Sequence, residues 1–398
     1  MQGIQTIRGN GGIPATLAGE DHISGLLMYM ADADIPSANA GVAGFSTTNR
    51  IIPISSIETA ESLGIKYDSA KWSVKTLWYH ISEALRINPG ITLYVGIFTT
   101  PALYDFTEIK TIQTFAEGRL RQVGVWAGDK ALSATEITSL QAIGTLMEAK
   151  DTPLSILYQP KVADISSIGN SMAVAGQKNV SVLIGQDGGG IGASIYTDAL
   201  NASNKYAVGI LGLALGCVSL AAVHEAISWV QKFPTGISTP GFVDGKLLKN
   251  IDTAVVESLD EKRFIFLTTY GGLAGSYLNG SHTMDLLTSD YNYIERVRTM
   301  DKACRGIRTY LLPYLGSPMY IDADTGKLGA DTIAILENVA NQHLEAMAKA
   351  GELSGYVAYI NPDQNVLATS NLDIVVKQVP VGVMRTIKLT IGFTNKIG

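Results

Sequence analysis

Apolar residues along the chain recur at two alternating spacings. From Ile23 onward, short apolar runs at Gly25–Tyr29, Ile91–Phe98, Val123–Trp126, Leu154–Leu157 and Val180–Ile184 have the length and composition of strands. Between them apolar positions return every three or four residues, which predicts helices over Lys71–Ile87, Ile109–Gly118 and Thr135–Ala149. The first carries the stripe Trp72, Leu77, Ile81, Leu85 and stops at Asn88-Pro89-Gly90. Strand and helix alternating at this spacing predict βαβ units: an α/β fold with a largely parallel sheet under helical cover. Phe266–Asn279 reads as a strand and turn that leave this layer.

The last third has longer periods. Asp290 is placed to cap a helix running to Leu312, and Asp331 a second with Ile333, Leu336, Ala340, Leu344 and Met347 on one face, stopped by Gly351. A strand pair then closes the chain. Leu372–Val379 is the first; after Pro380 and Gly382 the second runs to Phe393, with Ile387, Leu389, Ile391 and Phe393 alternating with Thr386, Lys388, Thr390 and Gly392. Residues 1–20 hold no aromatic residue and are broken by Gly9, Gly11, Gly12 and Pro14, so they read as an arm with too little apolar surface to fold alone. Tyr206–Val223 is apolar and uncharged over a membrane-spanning length. It nevertheless continues the helical period into His224–Val230 and has no basic flank, which predicts a buried core helix rather than stable membrane insertion. Gly209, Gly212 and Gly216 would give that helix a smooth face for a neighbouring backbone.

A length of 398 residues with 46% hydrophobic and 17% charged residues suits two or three folded domains. We expect an arm at 1–20, an α/β domain at 21–200, a further domain at 201–384 and a terminal strand at 385–398. A net charge of −6 argues against nucleic acid as the main partner, because phosphate binding needs excess Lys and Arg. The start lacks a basic, then apolar leader, which predicts folding in a cytoplasm. Cys217 and Cys304, both in apolar helical contexts, read as reduced core thiols rather than a disulfide or a nucleophile.

Chemistry is sparse. Gly188, Gly190 and Ala193 in the loop 185–193 fit a G-x-G-x-x-A spacing after a strand, so a cytoplasmic Rossmann-like nucleotide- or cofactor-binding enzyme is the alternative reading. The acid wanted about twenty residues later is replaced by the apolar Tyr206–Cys217 run. The five histidines are scattered, and Asp322-Ala-Asp324-Thr-Gly326 reads as a turn rather than a calcium loop. No catalytic, metal or cofactor residue is assigned. Arg298, Lys302 and Arg305, at i, i+4 and i+7 with Arg296 and Arg308 close by, form a basic helix face that is either solvated or an electrostatic face for a protein partner.

The order of elements after residue 205 resembles the core domain of contractile phage tail sheath proteins. The resemblance is carried by Arg296–Arg308 and Gly316-Ser317-Pro318, the long helix Asp331–Ala350, the strand Gly351–Tyr359, the turn Asn361-Pro362-Asp363, and Asp373–Val376 followed by Pro380–Phe393. Leu213–Gly216, Ala221–Glu225 and Trp229-Val230 also look like a branch of phage sheath-like proteins. The resemblance implies an α/β (α+β overall) fold: a sheath-type core with a mixed sheet and flanking helices, plus strand arms at both ends. It implies a homo-oligomer of stacked hexameric rings around an inner tube protein, with baseplate and terminator proteins as further partners and no cofactor. Such a particle is assembled in the host cytoplasm and carried as a virion or phage-like tail. On this reading Ile4, Gln5, Thr6, Ile7 and Arg8 and the strand Ile387, Lys388, Leu389, Thr390, Ile391 and Phe393 exchange between subunits. Arg298, Lys302 and Arg305, or Glu337 and Glu345 on the second helix, would face the tube.

Overall fold

A computed structural model of the chain describes residues 20–393. These divide into two compact units, one ending at Arg305 and one beginning at Gly306. The first opens with β1 (Ile23–Met30), β2 (Ile51–Ile54), α1 (Ile57–Ser62), α2 (Trp72–Ile87), β3 (Thr92–Thr99), α3 (Glu108–Phe115), β4 (Gln122–Ala131), α4 (Ala134–Ala149), β5 (Ser155–Lys161) and β6 (Val180–Val182). These strands make one six-stranded sheet in the order β2-β3-β1-β4-β5-β6. Every pair is parallel except β2 with β3. All eight residues of β1 are buried, as expected of a central parallel strand covered on both faces. Its side chains alternate between two cores: Leu26, Met28 and Met30 face α2, and Ile23, Leu27 and Tyr29 face α3 and α4.

The unit continues through β7 (Gly185–Asp187), α5 (Ile191–Tyr196), α6 (Leu211–Leu220), β8 (Pro240–Phe242), α7 (Thr253–Glu261), β9 (Leu267–Thr268), β10 (Tyr277–Leu278) and the start of α8 (Ile294–Leu311). β7 pairs with β8, and β9 with β10. α6 is the expected core helix: Leu211 to Ser219 are buried, and among the described residues no helix is long and apolar enough to cross a membrane. Gly212 and Gly216 lie against the backbone of α2, at His80 and Ala84. Gly209 falls before the helix, with φ +81° beside the Gln159 amide, rather than on its face. The expected division at residue 200 falls inside this unit, because α6 packs on α2, β4 and β5.

Two further boundaries and one cysteine differ from expectation. α6 ends at Leu220, and His224–Val230 forms turns. α8 begins at Ile294 rather than behind an Asp290 cap, because Tyr293 bridges His282 and the Ile294 N–H is taken by the Ser281 carbonyl. Cys217 is buried and its thiol is pushed up to about 12 by burial, but Cys304 is exposed; both are free.

The second unit holds α9 (Ala330–Lys349), β11 (Leu353–Tyr359), the single turn α10 (Val366–Thr369) and β12 (Val375–Pro380). Gly329 caps α9, and Asp331 sits in its first turn, where a carboxylate favours the helix dipole. β11 and β12 form a two-stranded antiparallel sheet packed on α9. Asp322 accepts from the N–H groups of Asp324 and Thr325, the turn expected there.

Candidate functional site

In a doubly wound sheet, ligands bind beyond the carboxyl ends of the strands, where the strand order reverses. Here that point is β1, between β3 and β4, and the loop after β3 fills it. Tyr104 stacks edge-on to Tyr29 at 4.9 Å and donates to the Asp129 carboxylate at 2.7 Å. Phe106, fully buried and at φ 58°, packs on Tyr158. Tyr29 donates to Glu108 at 2.9 Å. A left-handed aromatic residue held this way plugs the point, with the Tyr29 and Tyr104 hydroxyls paired and the Tyr158 hydroxyl buried without a hydrogen-bond partner among the described residues.

The Gly-rich loop is closed from within. Asp187 accepts from the N–H groups of Gly189 at 3.1 Å, Gly190 at 2.8 Å and Gly192 at 3.1 Å. Those donors are the ones a pyrophosphate would need, and the chain's own carboxylate already holds them. Asp187→Ala is expected to cost about 1–2 kcal/mol, read as a lower Tm. No nucleotide should raise the Tm of the unaltered protein; a rise would revive the cofactor reading. Among the described residues no cluster of His, Cys, Asp and Glu suits a metal.

The basic stripe of α8 turns inward. Arg298 is 4% exposed and donates to the carbonyls of Ala221 and Ala222. Lys302 and Arg305 reach the Asp21 carboxylate at 2.8 and 3.4 Å. Next to them Asp301 is buried, and burial pushes its carboxyl up to about 7 against the pull of Arg305, Lys178 and Arg298. The folded chain therefore holds a proton that the unfolded chain releases near pH 4. Stability falls as pH rises from there to about 7, by a few kcal/mol at most at about 1.4 kcal/mol per pKa unit. The Tm of Asp301→Asn should exceed that of the unaltered protein by a wider margin at pH 8 than at pH 5. The same margin at both pH values would show that Asp301 ionises freely.

Expected partner-facing groups on α9 also have internal roles. Glu337 accepts from the Ile360 N–H at 2.8 Å, and Asn341 from the Ala358 N–H at 2.9 Å, so α9 covers the outer side of β11. Glu345 is exposed and pairs with Lys349. The sheet's other face carries Val357, Tyr359, Val375 and Val379, all about half exposed. Beyond Pro380 the chain pairs with no strand among the described residues. Ile387, Leu389 and Ile391 stand 73%, 76% and 82% exposed, and Phe393 is fully exposed. Lys388 and Thr390 alternate with them in sequence, and the segment forms no strand among the described residues. Ile4, Gln5, Thr6, Ile7 and Arg8 lie outside the described residues.

Two family profiles cover most of the sequence: DUF2586, N-terminal domain, over residues 37–282, and DUF2586, C-terminal domain, over residues 290–398. The chain belongs to the DUF2586 family. No curated protein sequence matches it significantly. Its fold matches solved sheath structures over nearly the whole chain. A chain of the anti-feeding prophage baseplate aligns with a TM-score of 0.63 at 13% identity, covering 100% of this chain and 99% of that one. The anti-feeding prophage helical sheath in its contracted state gives 0.59 at 14%, with 99% of both chains covered. The sheath tail protein of Desulfitobacterium hafniense gives 0.50 at 10%, covering 95% and 100%. This DUF2586 chain therefore has the fold of contractile tail sheath proteins, as the resemblance in its sequence implied.

Proposed function

We propose that this protein is a structural subunit of a contractile tail sheath rather than an enzyme. The observation that carries the reading is the exposed, alternating segment Ile387–Phe393 beside a two-stranded sheet. A segment of that pattern gains little by standing alone in water, and an added strand is its natural state. With α9 over β11, β12 is the edge to which a third strand adds. Ile387, Lys388, Leu389, Thr390, Ile391 and Phe393 of one copy would pair there with the next copy, and Ile4–Arg8 would form a second link. On this reading rings of six stack around an inner tube protein, between baseplate and terminator proteins. Contraction would release free energy stored at assembly and needs no nucleotide. Assembly belongs in the host cytoplasm, and the product is a virion tail or a phage-like particle.

The test is electron microscopy of the purified protein, alone and co-expressed with a tube protein. Tubes or stacked rings support the reading. Discrete small particles under both conditions overturn it.

A further inference from the structure

Glu20, Asp21 and His22 join residues 1–19 to β1, and their contacts reach α8 and the start of β4 directly and the end of α6 through Arg298. The Asp21 carboxylate accepts from Lys302 at 2.8 Å and lies 3.4 Å from the Arg305 guanidinium. Its carbonyl accepts from Arg298 at 3.3 Å and from the Gln122 amide at 3.1 Å. Glu20 is paired with Arg121, which is itself buried. Arg298 also holds the carbonyls that end α6. The root of the N-terminal segment is thus tied to α8, to the start of β4 and to the end of α6.

Charge makes this node depend on Asp21. Burial, with Arg121 and Arg298 nearby, pushes the Arg305 guanidinium down to about 10, the sign of crowded cations. Burial alone would raise the Asp21 carboxyl, yet Lys302, Arg298 and Arg305 together hold it below its ordinary value. Asp21 and Asp301 both offset the charge of Arg305, so removing the Asp21 anion takes away one of two carboxylates at a largely desolvated node, which costs more than losing an exposed ion pair would.

We propose that Asp21 and the Arg298–Lys302–Arg305 stripe form a latch that passes load on the N-terminal segment into α8 instead of onto β1. Force applied at the end of a strand breaks its sheet hydrogen bonds in turn. The same force at Asp21 is shared by side-chain contacts to a helix and two other elements. α8 is also the element that leads the chain past Arg305 into the second unit. The source of the load rests on the sheath reading; the latch is a property of the single subunit and is tested there.

The experiment stretches the full chain between its termini in optical tweezers, with hydrogen exchange on the same proteins. The variants are Asp21→Asn, which keeps the size of the side chain, and the exchanged pair Asp21→Lys with Lys302→Asp. In Asp21→Asn the first extension should occur at lower force. Amides at the start of β1 and along 298–305 should exchange about tenfold faster while β3 and β5 stay protected. The exchanged pair should recover part of both. An unchanged first extension, or faster exchange spread evenly over the chain, would overturn the latch. Should Asp21→Asn fail to fold, the exchanged pair decides: recovery of a folded, protected chain supports the latch, and continued failure to fold overturns it. Absence of tubes from the unaltered protein would defeat the sheath reading and leave these outcomes intact.

Discussion

Replacing Gly212 with valine should lower the Tm of the protein by about 10 °C or abolish folding of the first unit. A Cβ at this position would stand 2.0 Å from the His80 carbonyl oxygen and 2.6 Å from its carbon. Both are backbone atoms in the middle of α2, so no side chain can turn aside to relieve the contact. Valine at a helix interior is a somewhat better helix former than glycine, a gain of at most about 0.5 kcal/mol. Forcing two buried helices apart costs about 3 kcal/mol or more, so the collision wins. At about 2–4 °C per kcal/mol for a unit of this size, calorimetry resolves the loss easily. Gly271→Ala is the control: nothing lies within 4 Å of its Cβ, and its Tm should stay within about 1 °C. If valine at 212 were as harmless as alanine at 271, α2 and α6 would not be in backbone contact.

The opposite outcome is expected when Leu389 and Ile391 are both changed to aspartate. Both side chains are already in water in the single subunit, so its Tm and circular dichroism should not move. In the assembled tube each would be buried, at about 1.5–3 kcal/mol per side chain, and an unpaired carboxylate in the same place adds a desolvation cost. A loss of about 4 kcal/mol at every junction weakens each contact by about a thousandfold. Sedimentation and microscopy should then find subunits without tubes at concentrations where the unaltered protein polymerises. Normal tubes from this variant would refute strand addition by the C-terminal segment.

Much of the first unit was legible because its rules are local. β1 is a continuous apolar run, the signature of a strand covered on both faces, and the helices of the βαβ units show their buried faces as three- and four-residue spacings. α6 was readable as a core helix because nothing charged interrupts it. What was missed depends on distant residues. The period of α6 carries on past Leu220, but Arg298 takes the carbonyls of Ala221 and Ala222, and the helix stops. The stripe Arg298, Lys302, Arg305 has the same spacing whether it faces water or the interior, and its counter-ion Asp21 lies at the other end of the unit's sequence. Asp187 gave no sign in the loop pattern that it would occupy the glycine N–H groups itself. The pattern of 386–393 was plain, but a period of two names a face and no neighbour, and no partner strand for it lies among the described residues.

The apolar segment after Pro380 and the edge of β12 are different surfaces carried on one chain. A contact between unlike halves has no two-fold axis to close it, so a pair of subunits joined this way still offers one spare segment and one spare edge. Each addition renews both. If the rotation from one copy to the next closes, the series ends as a ring; if it does not, growth is open-ended and final length must be fixed outside this contact, by a template of defined length or a cap that masks the last edge.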